Sequence, residues 1–287
     1  MEASDWCSRS VDFNGSIERG ISPNVFGDVE HITIYPDVLY YIGLLFYRGL
    51  GDVGQNYAEA AKWFRKLAED EYQRLDSDSD YHFTKHQHNM CVQSASYFLG
   101  FMYWHGQGVA QDYTQAVKWL SKAVETEFTR YGGIKEAQYL LGKAYYTGHG
   151  VAQDYAEAVR WYKAATEDEY SGVEYSGALL LYTPRKLKQK GLAEAKNALG
   201  DAYRDGHGVE KSYKEAMKWY RAAAAQGDAD AMNSMADMYA KGEGVGQDLG
   251  EAMKWCIKAA QKGNADAKAK LAKLMGNIPT GDNLLNP

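Results

Sequence analysis

The sequence predicts an all-α chain, a right-handed α-solenoid of five helix-turn-helix repeats with a lone C-terminal half-repeat helix and an irregular N-terminal cap. Three observations carry this. Five segments of the 287 residues share one frame, with about ten positions recurring in the same order. Each segment joins two helix-like stretches through paired glycines and a polar residue, the punctuation of a helix hairpin. The composition also holds 23 Tyr, 7 Trp and 29 Gly against only 5 Pro, a bias that a glycine-punctuated aromatic repeat explains. Self-similarity at such periods marks stacked-repeat architectures.

The segments read YIGLLFYRGLGDVGQNYAEAAKWF, FLGFMYWHGQGVAQDYTQAVKWL, LLGKAYYTGHGVAQDYAEAVRWY, ALGDAYRDGHGVEKSYKEAMKWY and SMADMYAKGEGVGQDLGEAMKWC. In each, the stretch before the paired glycines is helix A. Gly106, Gly148, Gly206 and Gly242 end it, since glycine adopts the left-handed C′ conformation without a Cβ penalty. Asp112, Asp154, Ser212 and Asp248, with Asn56 in repeat 1, are placed to cap helix B. Helix B then carries Ala and Trp three apart on one face, from Ala60/Trp63 to Ala252/Trp255. The small residue admits a neighbouring helix and the indole is expected to fill the groove between neighbours. Gly43, Gly100, Gly142 and Gly200 inside helix A cost helix propensity, which close helix contact would offset; repeat 5 has Ala236 there.

This frame resembles the Sel1-like repeat family, relatives of the tetratricopeptide repeats, over roughly residues 37–275. The resemblance implies a solenoid whose A helices line a concave groove. It further implies a non-enzymatic, bacterial protein that captures a partner protein in that groove. Family members serve as signalling and envelope adaptors or accompany secreted toxins as immunity proteins. The expected role is therefore an immunity or inhibitor protein for a secreted toxin, with a signalling or assembly adaptor as the alternative and a metal-dependent hydrolase as a third reading. Cysteine-rich relatives linked to penicillin binding or hydrolysis carry paired cysteines in each repeat. This chain has three, Cys7, Cys91 and Cys256, so that activity is not carried over.

The repeats are irregularly spaced. The helix B tryptophans Trp63, Trp119, Trp161, Trp219 and Trp255 lie 56, 42, 58 and 36 residues apart. In repeats 4 and 5 helix B meets a glycine, Gly227 or Gly263; in repeats 1 to 3 the same place holds Glu71, Glu127 or Glu169. With no glycine to stop it, helix B is expected to run longer there. The organisation expected is an N-terminal cap over 1–36, a solenoid over 37–275 with long insertions at 72–90 and about 170–190, and a tail over 276–287. ADAKAKLAKLM (265–275) reads as the closing helix A.

Little in the sequence speaks for catalysis. A net charge of −6 argues against a nucleic-acid partner, and no apolar run approaches the ~20 residues of a membrane span. The amino terminus lacks a signal-peptide pattern, so the expected location is cytoplasmic, or periplasmic if a leader has been removed. A monomer without cofactors is expected. Asp76, Asp78 and Asp80 alternate as in a calcium loop, but Tyr81 and Gln87 stand where glycine and glutamate are required. His82, His86, His88 and Cys91 are the metal candidates; no Glu follows His82 as the helical zinc motif demands. The favoured reading is an exposed inserted helix in which helix A of repeat 2 starts early. His149 and His207, between the loop glycines, read as exposed loop, and PRKLKQK (184–190) as a solvated basic helix end or turn.

Subtracting the frame leaves a binding surface. One and four positions after the helix A glycine, repeats 1 to 3 carry Leu44/Tyr47, Phe101/Trp104 and Lys143/Tyr146, whereas repeats 4 and 5 carry Asp201/Arg204 and Asp237/Ala240. These positions share a helix face. Leu44, Tyr47, Phe101, Trp104, His105 and Tyr146 are thus the expected partner-binding strip, unless the cap or insertions fold over it.

Overall fold

The computed structural model describes residues 36–50, 54–69, 81–125, 135–166 and 185–276. Among them the chain is helical throughout. The elements are α1 (Pro36–Arg48), α2 (Tyr57–Glu69), α3 (Tyr81–His105), α4 (Tyr113–Val124), α5 (Lys135–Thr147), α6 (Tyr155–Thr166), α7 (Arg185–Asp205), α8 (Tyr213–Ala225), α9 (Ala229–Lys241), α10 (Leu249–Gln261) and α11 (Ala265–Gly276). Odd-numbered helices are the A helices of successive repeats, α11 being an A helix without a described partner. Of the expected cap (1–36), insertions (72–90 and about 170–190) and tail (276–287), residues 1–35, 72–80, 170–184 and 277–287 lie outside the described residues.

The chain divides into two compact units, 1–137 and 138–287, within the first turn of α5. In the first, α1 pairs with α2 and α3 with α4, and α3 also packs on α1 and α2. In the second, α7 pairs with α8 and α9 with α10; α7 lies on α6, α9 on α8 and α11 on α10. Each junction inside a unit thus sets an A helix against the preceding B helix.

The punctuation works as the residue types dictate. Asp112, Ser212 and Asp248 accept hydrogen bonds from the backbone N–H groups of Gln115, Glu215 and Glu251. Asn56 and Asp154 accept likewise from Glu59 and Glu157. Gly106, Gly148, Gly206 and Gly242 have φ between 67° and 77°, as a left-handed cap requires. The second loop glycine has a separate duty. A Cβ on Gly244 would lie 2.6 Å from the Tyr213 carbonyl oxygen, and one on Gly208 would overlap the Tyr155 carbonyl. Gly108 approaches the backbone of Tyr57 and Ala58 in the same way. The loop of one repeat therefore sits directly on the first helical residue of the preceding helix B.

The helix A glycine earns its place through contact. Cβ atoms on Gly43, Gly100 and Gly142 would come within 2.5–2.6 Å of Phe64, Leu120 and Tyr162, and Gly200 is as close to Tyr220. These partners follow the repeat tryptophan by one residue, and Phe64, Leu120 and Tyr220 are wholly buried. The indoles, expected to fill the inter-repeat groove, lie further out. Trp119 is buried, but Trp63, Trp161, Trp219 and Trp255 are half-buried, each with a basic side chain over its ring. The alkyl stems of those Lys and Arg residues complete the cover.

Repeat 2 corrects the expectation of longer B helices. α4 stops at Val124, before Glu127, with Glu125 as its C-cap donating to Ser121. Removing a glycine stop does not by itself extend a helix. The A helices lengthen instead: α3 has 25 residues and α7 has 21. α3 contains His82, His86, His88 and Cys91, and the basic run Arg185–Lys190 opens α7.

Candidate partner-binding surface

The strip expected from the sequence is not one open surface. Leu44 is 2% and Trp104 6% exposed, so both belong to the core of the first unit. Tyr47 is half-buried; its ring meets Tyr57 edge-on at 5.2 Å and Phe98 at 5.0 Å, and its hydroxyl donates to Gln107 at 3.4 Å. Burial pushes its phenol up to about 12, so it stays protonated. Trp104 meets Tyr113 edge-on at 5.0 Å, as Tyr47 meets Tyr57. The position four after the glycine therefore packs on the tyrosine that opens its own helix B.

Tyr146 repeats the arrangement in the second unit. Its ring meets Tyr155 edge-on at 5.1 Å, and its hydroxyl is hydrogen-bonded to His207 Nδ1 at 2.8 Å. His207 in turn stacks on Tyr155 at 4.4 Å. Tyr47–Gln107 and Tyr146–His207 are thus the same strut, linking an A helix to the loop of the next repeat. This corrects the view of the residue between the loop glycines as exposed loop: His149 is exposed, but His207 and Gln107 are half-buried and bonded.

Of the expected strip in the first unit, Phe101 and His105 are left at the surface without a strut to the next repeat. Their rings lie 4.1 Å apart; Phe101 is half-buried and His105 exposed, its Nδ1 2.9 Å from the Phe101 carbonyl oxygen. The second unit carries charge at the corresponding places. Arg204 grips Asp205 through two bonds of 2.8 Å and pairs with Asp201 at 3.0 Å. Tyr220 also donates to Asp201 at 2.7 Å. Lys270 of α11 bridges Asp237 at 2.6 Å and Asn233 at 2.9 Å on α9. The Arg204 fork holds the Asp205 carboxyl below its ordinary value, whereas burial raises that of Asp201 despite the Tyr220 and Arg204 bonds. In sequence Asp201 and Arg204 are simply two charged residues three apart on one helix face; Tyr220, packed beside them, completes the network.

The B helices are monotonous by comparison. Lys62–Glu59, Arg160–Glu157, Lys218–Glu215 and Lys254–Glu251 repeat one surface ion pair three residues apart. Such exposed pairs contribute little to stability.

Of the metal candidates, Cys91 is buried and in no disulfide; the side chains of His82, His86 and His88 lie outside the described residues. Among the described residues no group of three or more His, Cys, Asp or Glu is arranged to hold a metal ion. No described helix is long and apolar enough to cross a membrane.

A fold of glycine-locked helix pairs with this punctuation defines a class of interaction scaffold, and the family assignment follows. The Sel1 repeat model matches residues 36–72, 93–125, 135–170, 193–228 and 229–264, more than half of the chain, and the protein belongs to the Sel1 repeat family. A Sel1 repeat protein from Oxalobacter formigenes, known from its crystal structure, is similar with 26% identity and a TM-score of 0.61 over 86% of this chain and 80% of that one. A protective antigen present in uropathogenic Escherichia coli strains, displaying an SLR fold, is 27% identical with a TM-score of 0.57. That match covers 83% of this chain and 41% of the antigen, so this chain spans less than half of the antigen's length. No curated protein matches the sequence. Proteins built on Sel1 repeats generally mediate protein–protein interaction.

Proposed function

We propose that this chain is a non-enzymatic module that holds a partner protein through the faces of its A helices. Phe101 and His105 act in the first unit, and Asp201, Asp205 and Asp237 in the second. One observation carries the reading: around the tryptophan of helix B four of the five repeats show the same acidic–basic pair, while one and four places after the helix A glycine the residues change in charge and size from repeat to repeat. A surface selected for one partner is idiosyncratic; a surface selected for solubility is not. The acidic residues suit a basic patch on the partner, and the aromatic pair supplies the kind of anchor found at interface hot spots.

The test is affinity for a partner that co-purifies with the chain. Phe101→Asp combined with Asp237→Lys is expected to weaken binding at least tenfold while leaving the helical content unchanged. Unchanged affinity would move the interface off the A helices. Trp104, being buried, is left intact.

A toxin-neutralising role is the narrower form of this reading, in which the partner is a secreted bacterial toxin. The idiosyncratic A-helix surface and the long insertions between repeats support a single dedicated partner. Co-expression is then expected to protect cells from the partner's toxicity, and Phe101→Asp/Asp237→Lys to abolish the protection. An adaptor would bind a second protein while the first remains in place.

A further inference from the structure

On α10 the chain exposes an apolar strip whose middle place is buried in α2, α6 and α8. The first, fifth and ninth residues of helix B are Tyr57/Ala61/Arg65 in α2, Tyr155/Val159/Lys163 in α6 and Tyr213/Met217/Arg221 in α8. In those repeats the fifth residue is at most 4% exposed, the first lies beneath the next loop glycine, and Arg65 and Arg221 bond the tyrosines Tyr103 and Tyr239 of the next A helix. This face of helix B is therefore built to receive another protein surface.

In α10 the same places hold Leu249, Met253 and Ile257, exposed at 68%, 39% and 40%. α11 does not cover them; it seats on another side of α10, where Cys256 donates to the Ala267 carbonyl and Ala259 and Ala267 are buried. Two substitutions make the strip drier than its counterparts. Leucine replaces the tyrosine of the other four repeats, and isoleucine stands where Arg65, Ser121, Lys163 and Arg221 do. Three large apolar side chains spaced four apart on one helix form a continuous ridge.

The border of the ridge is cationic. Lys254 and Lys258 each follow a ridge residue by one position, and Lys262 continues the row one turn on. Across residues 249–276 there are six lysines and two acidic residues, in a chain whose overall charge is −6. Lys254 is held by Glu251, and Lys258 lies 4.1 Å from the Trp255 ring centroid.

We infer that the Leu249–Met253–Ile257 ridge is a docking site for an acidic amphipathic helix of another protein. Its apolar face seats on the ridge and its carboxylates meet Lys258 and Lys262, the helix-on-helix mode of recognition. Protein rather than lipid is favoured because the equivalent face of α2, α6 and α8 is a protein-packing surface. A membrane-lying helix would also present a longer apolar face than three side chains. The site is separate from the A-helix surface and does not depend on it.

The experiment places a photoreactive amino acid at Ile257 of the full chain in its native cells. The captured segment is sequenced, then tested as a synthetic peptide against purified protein. The expected segment comes from another protein, with Leu-type residues three and four apart beside Asp or Glu. Its affinity is expected to fall at least tenfold with Lys258→Glu/Lys262→Glu and to be lost with Met253→Asp, while both variants melt like the parent. The inference is overturned by cross-links to residues 277–287, to a second copy of the chain or to phospholipid. It is equally overturned by the absence of any cross-link, or by a peptide indifferent to the lysine reversals.

Discussion

The first two repeats and the last two, one pair in each compact unit, use one repeat frame to carry opposite chemistry. In the first, the positions one and four after the helix A glycine are Leu44/Tyr47 and Phe101/Trp104, and three of these four bury themselves in aromatic packing or an inter-repeat strut. In the second, the same positions become Asp201/Arg204 and Asp237, held by ion pairs that leave a third or more of each side chain in water. The frame fixes where a side chain is presented, and the remaining residues decide whether that place is consumed by the core or offered to solvent. An aromatic residue beside the opening tyrosine of helix B is drawn inward; a charged one stays at the surface.

The sharpest test of the shared frame is at the second loop glycine. Gly208→Ala, at φ +72° and against the Tyr155 carbonyl, is expected to cost about 3 kcal/mol, from a strained backbone together with a steric overlap that rigid main chain cannot relieve. Gly246→Ala, with no atom within 4 Å of its Cβ, is the control and is expected to be neutral. Urea denaturation measures both; equal effects would mean the loop seat does not hold the repeats together.

A smaller effect separates the two struts. Tyr146→Phe removes a 2.8 Å bond to half-buried His207 and is expected to cost about 1 kcal/mol. Tyr47→Phe removes only a 3.4 Å contact with Gln107 and is expected to cost less than half as much. The same denaturation experiment decides, and the reverse order would break the equivalence drawn between them.

The smallest effect tests the charged network. Asp205 has its carboxyl lowered by Arg204, so its contribution is present above the ordinary carboxylate value of about 4 and fades as pH falls through the lowered one. Being a third exposed, it is expected to be worth about 0.5 kcal/mol, and Asp205→Asn to lower the melting temperature slightly at pH 7, by an amount that shrinks as pH falls below about 4. Asp201 has its carboxyl raised by burial, so its ionised form is the disfavoured one and the cost is relieved in acid. Asp201→Asn is therefore expected to cause no loss at pH 7. Matching pH profiles for the two variants would contradict the assignment.

Much of this fold was legible because it rests on local chemistry. Caps such as Asp112 and stops such as Gly242 act within four residues, and the need for close contact at Gly43 and Gly200 follows from propensity alone. Burial of Leu44 and Trp104 was not legible, since it depends on Tyr57, Tyr113 and the packing of neighbouring repeats. The place after each tryptophan was visible as an unbroken apolar column of Phe64, Leu120, Tyr162, Tyr220 and Cys256, yet the larger indole drew the attention. The Asp201–Arg204–Asp205 network resembles an ordinary solvent-facing pattern in sequence. Tyr220, arriving from the partner helix, changes its character.

The loop glycine seat has a consequence for how one repeat selects the next. Gly208 and Gly244 rest on main-chain atoms of Tyr155 and Tyr213, so the joint does not read the side chain beneath it. This seat therefore leaves the choice of neighbour to side-chain bonds such as Tyr146–His207 and Arg221–Tyr239.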